Sequence, residues 1–426
     1  MEKVILKSFY VSNFKSFKDE ISFTTEIDYS KKEYLERNTF EEKEEVYNKV
    51  SYIYGANGSG KTNFCRAIGW LKSIIALSPI IAFNGEKSLE MNLFKSHLKG
   101  KDNYFKFEAG YENIPIYFRI ELLIDDILYT YSFKTLNNII IEEKLYKKVK
   151  RRELILNRTS ERYEDIELKG ELLSFKPNIH IVKEKTLCLS MANILNNKLA
   201  NKIIEAINKI IVINMSKFKS LNVLSESEYT EEKLNKYLEI IKVADPTIKK
   251  LNVIFNESEA SISKMESDDL DEKAIGIRNS KVKVEAVHNL YKNNEIVGEI
   301  KVPFFEEQSH GTINIFELLP LVFKVLDEGG ILVVDEIENV IHPNLLKAII
   351  DKFYNKESNP LNAQLICTTH NTNLIEKDIR RDEIWLVDRD SYGQSYLNRL
   401  SDKKVRQTES YSQKYLSGIF GGVPEI

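Results

Sequence analysis

Gly55-Ala56-Asn57-Gly58-Ser59-Gly60-Lys61-Thr62 fits the phosphate-binding pattern G-x-x-x-x-G-K-[ST]. A turn of this kind aims backbone N–H groups at a β-phosphate, so Asn57, Gly58, Ser59 and Gly60 form the cradle, Lys61 reaches the β/γ oxygens and Thr62 puts its hydroxyl on Mg²⁺. The flanks give the context this loop requires. Val50 to Tyr54 is rich in β-formers, and Phe64, Ile68, Leu71 and Ile75 keep helical spacing up to Pro79, where the helix is expected to stop. Strand, loop and helix together predict an α/β fold that binds ATP or GTP.

Working outward, Gly329 to Glu336 is an apolar run ending in two carboxylates, Asp335 and Glu336. Such a run reads as a buried parallel strand, and in α/β sheets ligands sit at the carboxyl ends of the strands. Asp335 is thereby a candidate for the Mg²⁺ shell shared with Thr62, and Glu336 for the group that polarises an attacking water. Upstream, Gln308-Ser309-His310-Gly311-Thr312 opens a helix with Ile315, Leu319, Val322 and Leu326 on one face and a kink expected at Pro320. Ser309 and the free N–H groups around Gly311 form a helix-start anion site. Downstream, Gln364 to Thr369 reads as another buried strand that delivers His370 at its end, placed to sense charge or anchor water.

Composition bounds the alternatives. The chain has 426 residues, 42% hydrophobic and 29% charged, enough for two or three domains. No apolar stretch reaches the ~18 to 20 residues of a membrane span, and Met1-Glu2-Lys3 does not begin a signal peptide, so a cytoplasmic location without membrane contact is expected. Cys65, Cys188 and Cys367 are scattered and form no metal or disulfide framework. A net charge of -3 makes any nucleic-acid contact local. The candidate is Lys144, Lys147, Lys148, Lys150, Arg151 and Arg152, which a solvated strand edge explains at least as well.

Along the chain, a charged stretch from Asp28 to Glu45 reads as a surface insertion, and Tyr117 to Ile124 and Ile127 to Phe133 read as an antiparallel hairpin turning at Asp125-Asp126. Residues 1–149 form the expected N-terminal lobe of the nucleotide-binding domain, 150–280 a mainly helical insert or lid, and 281–426 the C-terminal lobe. The helical reading of the insert rests on Ile203, Ile207, Ile210 and Ile211, then on Leu234, Leu238 and Ile241 up to Asp245-Pro246, with a Ser/Asp/Glu-rich loop near Glu257 to Lys273.

The order phosphate loop, helix-start serine, carboxylate pair, histidine resembles the ATP-binding cassette ATPases, in particular the soluble branch that includes RecF and the structural-maintenance-of-chromosomes heads. On that resemblance Ser309-His310-Gly311 is similar to the signature motif, Asp335-Glu336 to Walker B with the catalytic glutamate, and His370 to the switch histidine. The implied fold is a P-loop NTPase of the cassette head type with an antiparallel β layer. The separation of 248 positions from Lys61 to Ser309 exceeds the spacing in transporter cassettes.

Asn13-Phe14-Lys15-Ser16-Phe17, Asp335 to Asn339 with His342-Pro343, Thr368 to Thr372, and Tyr415 to Pro424 also resemble the stand-alone bacterial AAA-family ATP-binding proteins. That resemblance implies a nucleotide contact at Lys15. It implies a homodimer or higher even oligomer, head to tail, with ATP and Mg²⁺ at the interface. Many members occur in phage-defence systems beside a separately encoded nuclease or toxin. The expectation is an ATPase switch regulating such an effector, with a RecF-like DNA clamp as the alternative. A nuclease centre at Asp388-Arg389-Asp390 is the third reading, but only 56 residues follow His370, too few for an added catalytic domain. Two departures stand out. No glutamine precedes Gln308, so metal sensing between loop and insert falls to another group, His97 or an Asn, or is absent; and His310 replaces the usual signature glycine, which fits slow turnover.

Overall fold

Val50–Gly55, Ile331–Asp335 and Gln364–Thr368 are buried at every position, as strands covered on both faces must be. In Ile116–Ile124, by contrast, Ile116, Phe118, Ile120 and Leu122 are buried while Tyr117, Arg119 and Glu121 reach solvent, the alternation of a sheet with one wet face. The computed structural model contains both kinds of sheet. It describes residues 3–84, 103–215, 225–255, 282–339, 341–375, 378–403 and 411–420. His97, the loop near Glu257 to Lys273 and the end of the closing motif from Gly421 lie outside the described residues.

In chain order the strands are β1 (Val4–Ser12), β2 (Ile21–Thr24), β3 (Thr39–Glu42), β4 (Glu45–Asn48), β5 (Val50–Gly55), β6 (Ile116–Ile124), β7 (Ile127–Leu136), β8 (Ile139–Lys148), β9 (Arg152–Arg158) and β10 (Ile166–Leu168). Then come β11 (Ile210–Asn214), β12 (Ile248–Phe255), β13 (Val282–Lys292), β14 (Glu295–Pro303), β15 (Ile331–Asp335), β16 (Gln364–Thr368), β17 (Ile384–Arg389) and β18 (Ser395–Arg399). A seven-stranded antiparallel sheet has the order β10-β9-β8-β7-β6-β1-β2. A six-stranded sheet has the order β11-β15-β16-β5-β17-β18, parallel except for β18.

Helix α1 (Lys61–Asn84) lies between the two sheets. Its Phe64, Ile68 and Leu71 share one core with Phe9, Phe118 and Phe133 of the antiparallel sheet and with Ile53, Val333 and Ile366 of the parallel one. Helix α2 (Lys198–Asn208) buries Ile203 and Ile207 in the same core. The other face of the parallel sheet, with Tyr52, Leu332 and Leu365, carries α3 (Glu231–Ala244), α4 (His310–Glu328) and α5 (Pro343–Tyr354). In α4 the expected stripe of Ile315, Leu319, Val322 and Leu326 is buried, and the hairpin of β6 and β7 turns at Asp125 (φ 45°) and Asp126 (φ 64°), both in the left-handed region that a two-residue turn demands.

Four expectations need correction. Pro79 does not stop α1 but lies inside it; burial between two sheets outweighs the hydrogen bond that proline cannot donate. Ile210 and Ile211 belong to strand β11, not to a helix, because parallel pairing with β15 claims them. The described part of 150–280 holds more helix than strand, with Gly170–Ile181 and Cys188–Ile194 beside α2 and α3, but it is woven into the sheets and is not helical throughout: it supplies β9 and β10 to the antiparallel sheet, β11 to the parallel sheet and β12 to a three-stranded sheet β12-β13-β14. Residues 28–45 are more than a surface insertion, since the β3–β4 hairpin buries Phe40 and Tyr47 against Ile5 and Leu123, and Glu33 pairs with Arg381.

Candidate functional site

Strand β5 ends at Gly55 and α1 begins at Lys61, and side chains from β17 and β18 bond the carbonyls of the turn between them. Gly60 has φ +119°, and a Cβ there would lie 2.5 Å from Ser395 Oγ and 2.9 Å from Ser16 Oγ. Only glycine fits that approach. Gly58 has φ +77° with nothing within 4 Å of a Cβ, which leaves its outer side open for a ligand. Ser395 Oγ donates to Ser59 O, Arg389 Nη1 donates to Gly58 O at 3.1 Å, and Asn63 Nδ2 donates to Ser16 Oγ at 2.8 Å. The turn Asn13–Phe17 thus seats the half-buried Lys15 beside the start of α1, with Lys15 N donating to Asn103 O at 2.6 Å.

Lys61 curls back, its Nζ donating to Gly55 O at 2.7 Å and Ala56 O at 3.1 Å, and is only 6% exposed. Burial pushes its ammonium down to about 8, against the pull of the Glu338, Asp335 and Glu336 carboxylates. A bound polyphosphate would supply the missing counter-charge and free the amine from the two carbonyls.

Asp335, 2% exposed at the end of β15, accepts from Thr368 Oγ1 at 2.8 Å, from Asn214 Nδ2 at 2.7 Å and from Thr62 Oγ1 at 3.3 Å. No cluster of three or more His, Cys, Asp or Glu able to hold a metal occurs among the described residues. That donor set fits Mg²⁺, which keeps water and phosphate oxygens and takes one or two oxygens from the protein; Thr62 Oγ1 and Asp335 Oδ1, 3.3 Å apart, are the oxygens that would hold it.

Glu336 follows with φ 56°, a left-handed conformation that turns its side chain away from the line of β15. Its N–H donates to Thr368 Oγ1 at 2.8 Å. The His370 N–H donates to Glu338 Oε1 at 2.6 Å, while Glu338 Oε2 is buried with no partner among the described residues. Partial desolvation and the Lys61 ammonium hold the exposed His370 imidazole below its ordinary value, against Glu338 and Asp335.

Ser309 is found elsewhere. It caps α4, accepting from Thr312 N at 3.2 Å, and with Gly311, Thr312, His342 and Asn344 it lines a cleft of about 420 Å³. Helix α4 packs on the opposite face of the parallel sheet from α1. It returns into β15 through Gly329-Gly330, so its start lies toward the Asp335 end; 19 helical residues against five in the strand carry that start roughly 10 Å beyond the sheet edge.

The structure therefore gathers Asn57 to Thr62, Lys15, Asp335, Glu336 and His370 around one loop and leaves Ser309 and Gly311 apart from it. Asn214, Thr368, Glu338 and Arg389 join the site without having been assigned a role from sequence. Asn214 was hidden by the helical reading of the segment just before it; as a polar residue closing the apolar run Ile210 to Ile213, it could have been found as a strand end. The basic cluster is a solvated hairpin: Lys144 pairs with Glu142, Lys147 with Glu171, and Arg152 lies over Tyr146. Asp390 closes a turn, accepting from Tyr392 N and Gln394 N at 2.9 Å each.

No curated protein matches this chain. Among solved structures, an SMC head domain from Thermotoga maritima aligns over 92% of this chain and 98% of its own at 14% identity and a TM-score of 0.39. An SmcHead bound to the C-winged helix domain of ScpA aligns over 92% and 96% at 12% identity and a TM-score of 0.40. Residues 50–376, more than half of the chain and spanning the phosphate loop, Asp335 and His370, match the family described as "AAA domain, putative AbiEii toxin, Type IV TA system", and the chain belongs to that family.

Proposed function

We propose that this protein is an ATP-hydrolysing switch that works as a head-to-tail dimer and regulates a separately encoded effector, a nuclease or toxin, in anti-phage defence. The family description, with its toxin–antitoxin wording, supports the defence setting. Among the described residues no helix is long and apolar enough to cross a membrane.

One observation carries the dimer. The Ser309-capped start of α4 belongs to a helix on the opposite face of the parallel sheet from α1, and the cleft that it lines holds no residue of its own chain's phosphate loop. A second copy turned head to tail would bring that anion-binding helix start over the first copy's γ-phosphate. Within each site Lys61 neutralises phosphate charge, Glu336 takes the proton of the attacking water and His370 holds the γ side. Thr62 and Asp335 would hold Mg²⁺, which would supply charge neutralisation to the phosphates. ATP closes the dimer only by its differential affinity for the closed state.

The test mixes two inactive variants. Ser309→Arg blocks the helix start and Glu336→Gln removes the base, so in a mixed head-to-tail dimer both defects can fall on one composite site and leave the other whole. Partial recovery of ATPase activity is expected. Its absence, with mixed dimers shown to form by mass, would overturn the shared-site reading.

A further inference from the structure

The triphosphate has a direction, and with its γ end at the carboxylates its nucleoside end lies away from them. Asp335, Glu336 and His370, on and after β15 and β16, take the γ end. The sheet order β15-β16-β5-β17-β18 places β17 and β18 on the far side of the loop, so a nucleotide with its γ-phosphate at Asp335 points its base toward them.

On that side stands Arg389, the last residue of β17. Its Nη1 donates to Gly58 O at 3.1 Å and its Nε to Gly393 O at 3.0 Å, so the guanidinium plane is fixed at two points although the residue is exposed. Behind it the Phe107 ring lies 4.8 Å from the guanidinium carbon. Phe107 is 61% exposed, an unusual setting for a large aromatic that is itself braced by Phe105 and by Gly393, where a Cβ would come within 2.8 Å of the ring. Glycine at 393, with φ +83°, is thus what lets the aromatic sit against the turn. An exposed planar cation backed by an aromatic ring and tied to the phosphate loop itself is suited to stacking on a flat heterocycle.

We infer that Arg389, backed by Phe107, is the nucleobase platform of this site: the base of the bound nucleoside triphosphate stacks on the guanidinium face, which Phe107 and the Gly58 carbonyl hold in place. Arg389 is the contact residue and Phe107 a positioning residue. The inference rests on nucleotide binding at the phosphate loop, and it assigns a role to the residue between Asp388 and Asp390 that neither carboxylate has.

Equilibrium binding of ATP and of inorganic tripolyphosphate, each with Mg²⁺, separates base from phosphate. Wild-type protein is expected to bind ATP at least about tenfold more tightly than tripolyphosphate, the scale of one base stacked on a side chain. Arg389→Lys keeps the charge and removes the planar face; it should weaken ATP about tenfold and leave tripolyphosphate within about twofold. Phe107→Ala, at a position that is 61% exposed, should do the same to a smaller degree. If both variants weaken the two ligands equally, Arg389 merely shapes the loop and the platform is overturned. Equal wild-type affinity for the two ligands overturns it too, while leaving the phosphate loop intact. Wild-type protein that binds neither ligand would remove the phosphate-loop reading, and the platform with it.

Discussion

Asn214 Nδ2 donates to Asp335 Oδ2 at 2.7 Å, across two parallel strands in which these residues are direct partners, β11 against β15. The carboxylate proposed for Mg²⁺ is thereby held from one side by Asn214 and from the other by Thr368 at 2.8 Å. With no glutamine before Gln308 in the chain, Asn214 is the described amide that reaches this carboxylate.

Asn214→Ala should therefore act through the metal. Loss of a group that orients a metal-side carboxylate costs about 10- to 100-fold in metal affinity or activity, so ATPase activity should demand correspondingly more Mg²⁺ while metal-free nucleotide binding changes little. A Mg²⁺ titration of turnover checks this; an unchanged half-saturation would count against the role.

ATP affinity should fall as pH rises above about 8. The free-state Lys61 ammonium sits near that value because burial disfavours its charge, and phosphate oxygens restore the charged form. The bound pKa exceeds the free one, so binding takes up a proton at pH 8 to 9 and weakens by up to about tenfold per pH unit beyond it. Calorimetry in buffers of different ionisation enthalpy reads the proton directly.

Glu336→Gln should bind ATP with affinity within about threefold of wild type and lose nearly all turnover, since an amide keeps the shape but cannot accept the proton. Phosphate release and size-exclusion profiles with ATP check both halves, the second by accumulation of the closed dimer. Normal release would shift the base to another carboxylate, Glu338 being adjacent to His370.

At the opposite end of the parallel strands, just before β17, burial pushes Glu383 up to about 8 although Arg380 N, Asn38 and Tyr354 donate to it. The folded value lies above the ordinary 4.5, so its stabilising contribution is complete below the unfolded value and is lost as pH rises through about 8. Glu383→Gln stays neutral and should flatten the pH dependence of stability, gaining on wild type above that pH. Urea midpoints at pH 6 and pH 9 measure it.

The parts legible in the sequence are those whose chemistry is contiguous. The phosphate loop needs a particular glycine pattern within eight residues, and β15 announces itself as an apolar run closed by Asp335 and Glu336. Strand β6 and its turn at Asp125-Asp126 were readable because alternation and left-handed turn residues are local requirements. The boundary at Ile210 was not readable, since Ile203, Ile207, Ile210 and Ile211 fit a helix until β15 supplies a parallel partner from more than a hundred residues away.

The sequence by itself determined the loop, the two carboxylates, the strand-end histidine and the serine cap of α4, because each depends on backbone preferences and residue chemistry within one short segment. Only the tertiary structure decided which of them meet. It brought Lys15, Asp335, Glu336 and His370 to the loop, added Asn214 and Arg389 through sheet pairing, and set Ser309 apart by packing α4 on the opposite face from α1. Sheet order and the faces that helices cover are fixed by burial summed over the whole core, and no local pattern records that sum.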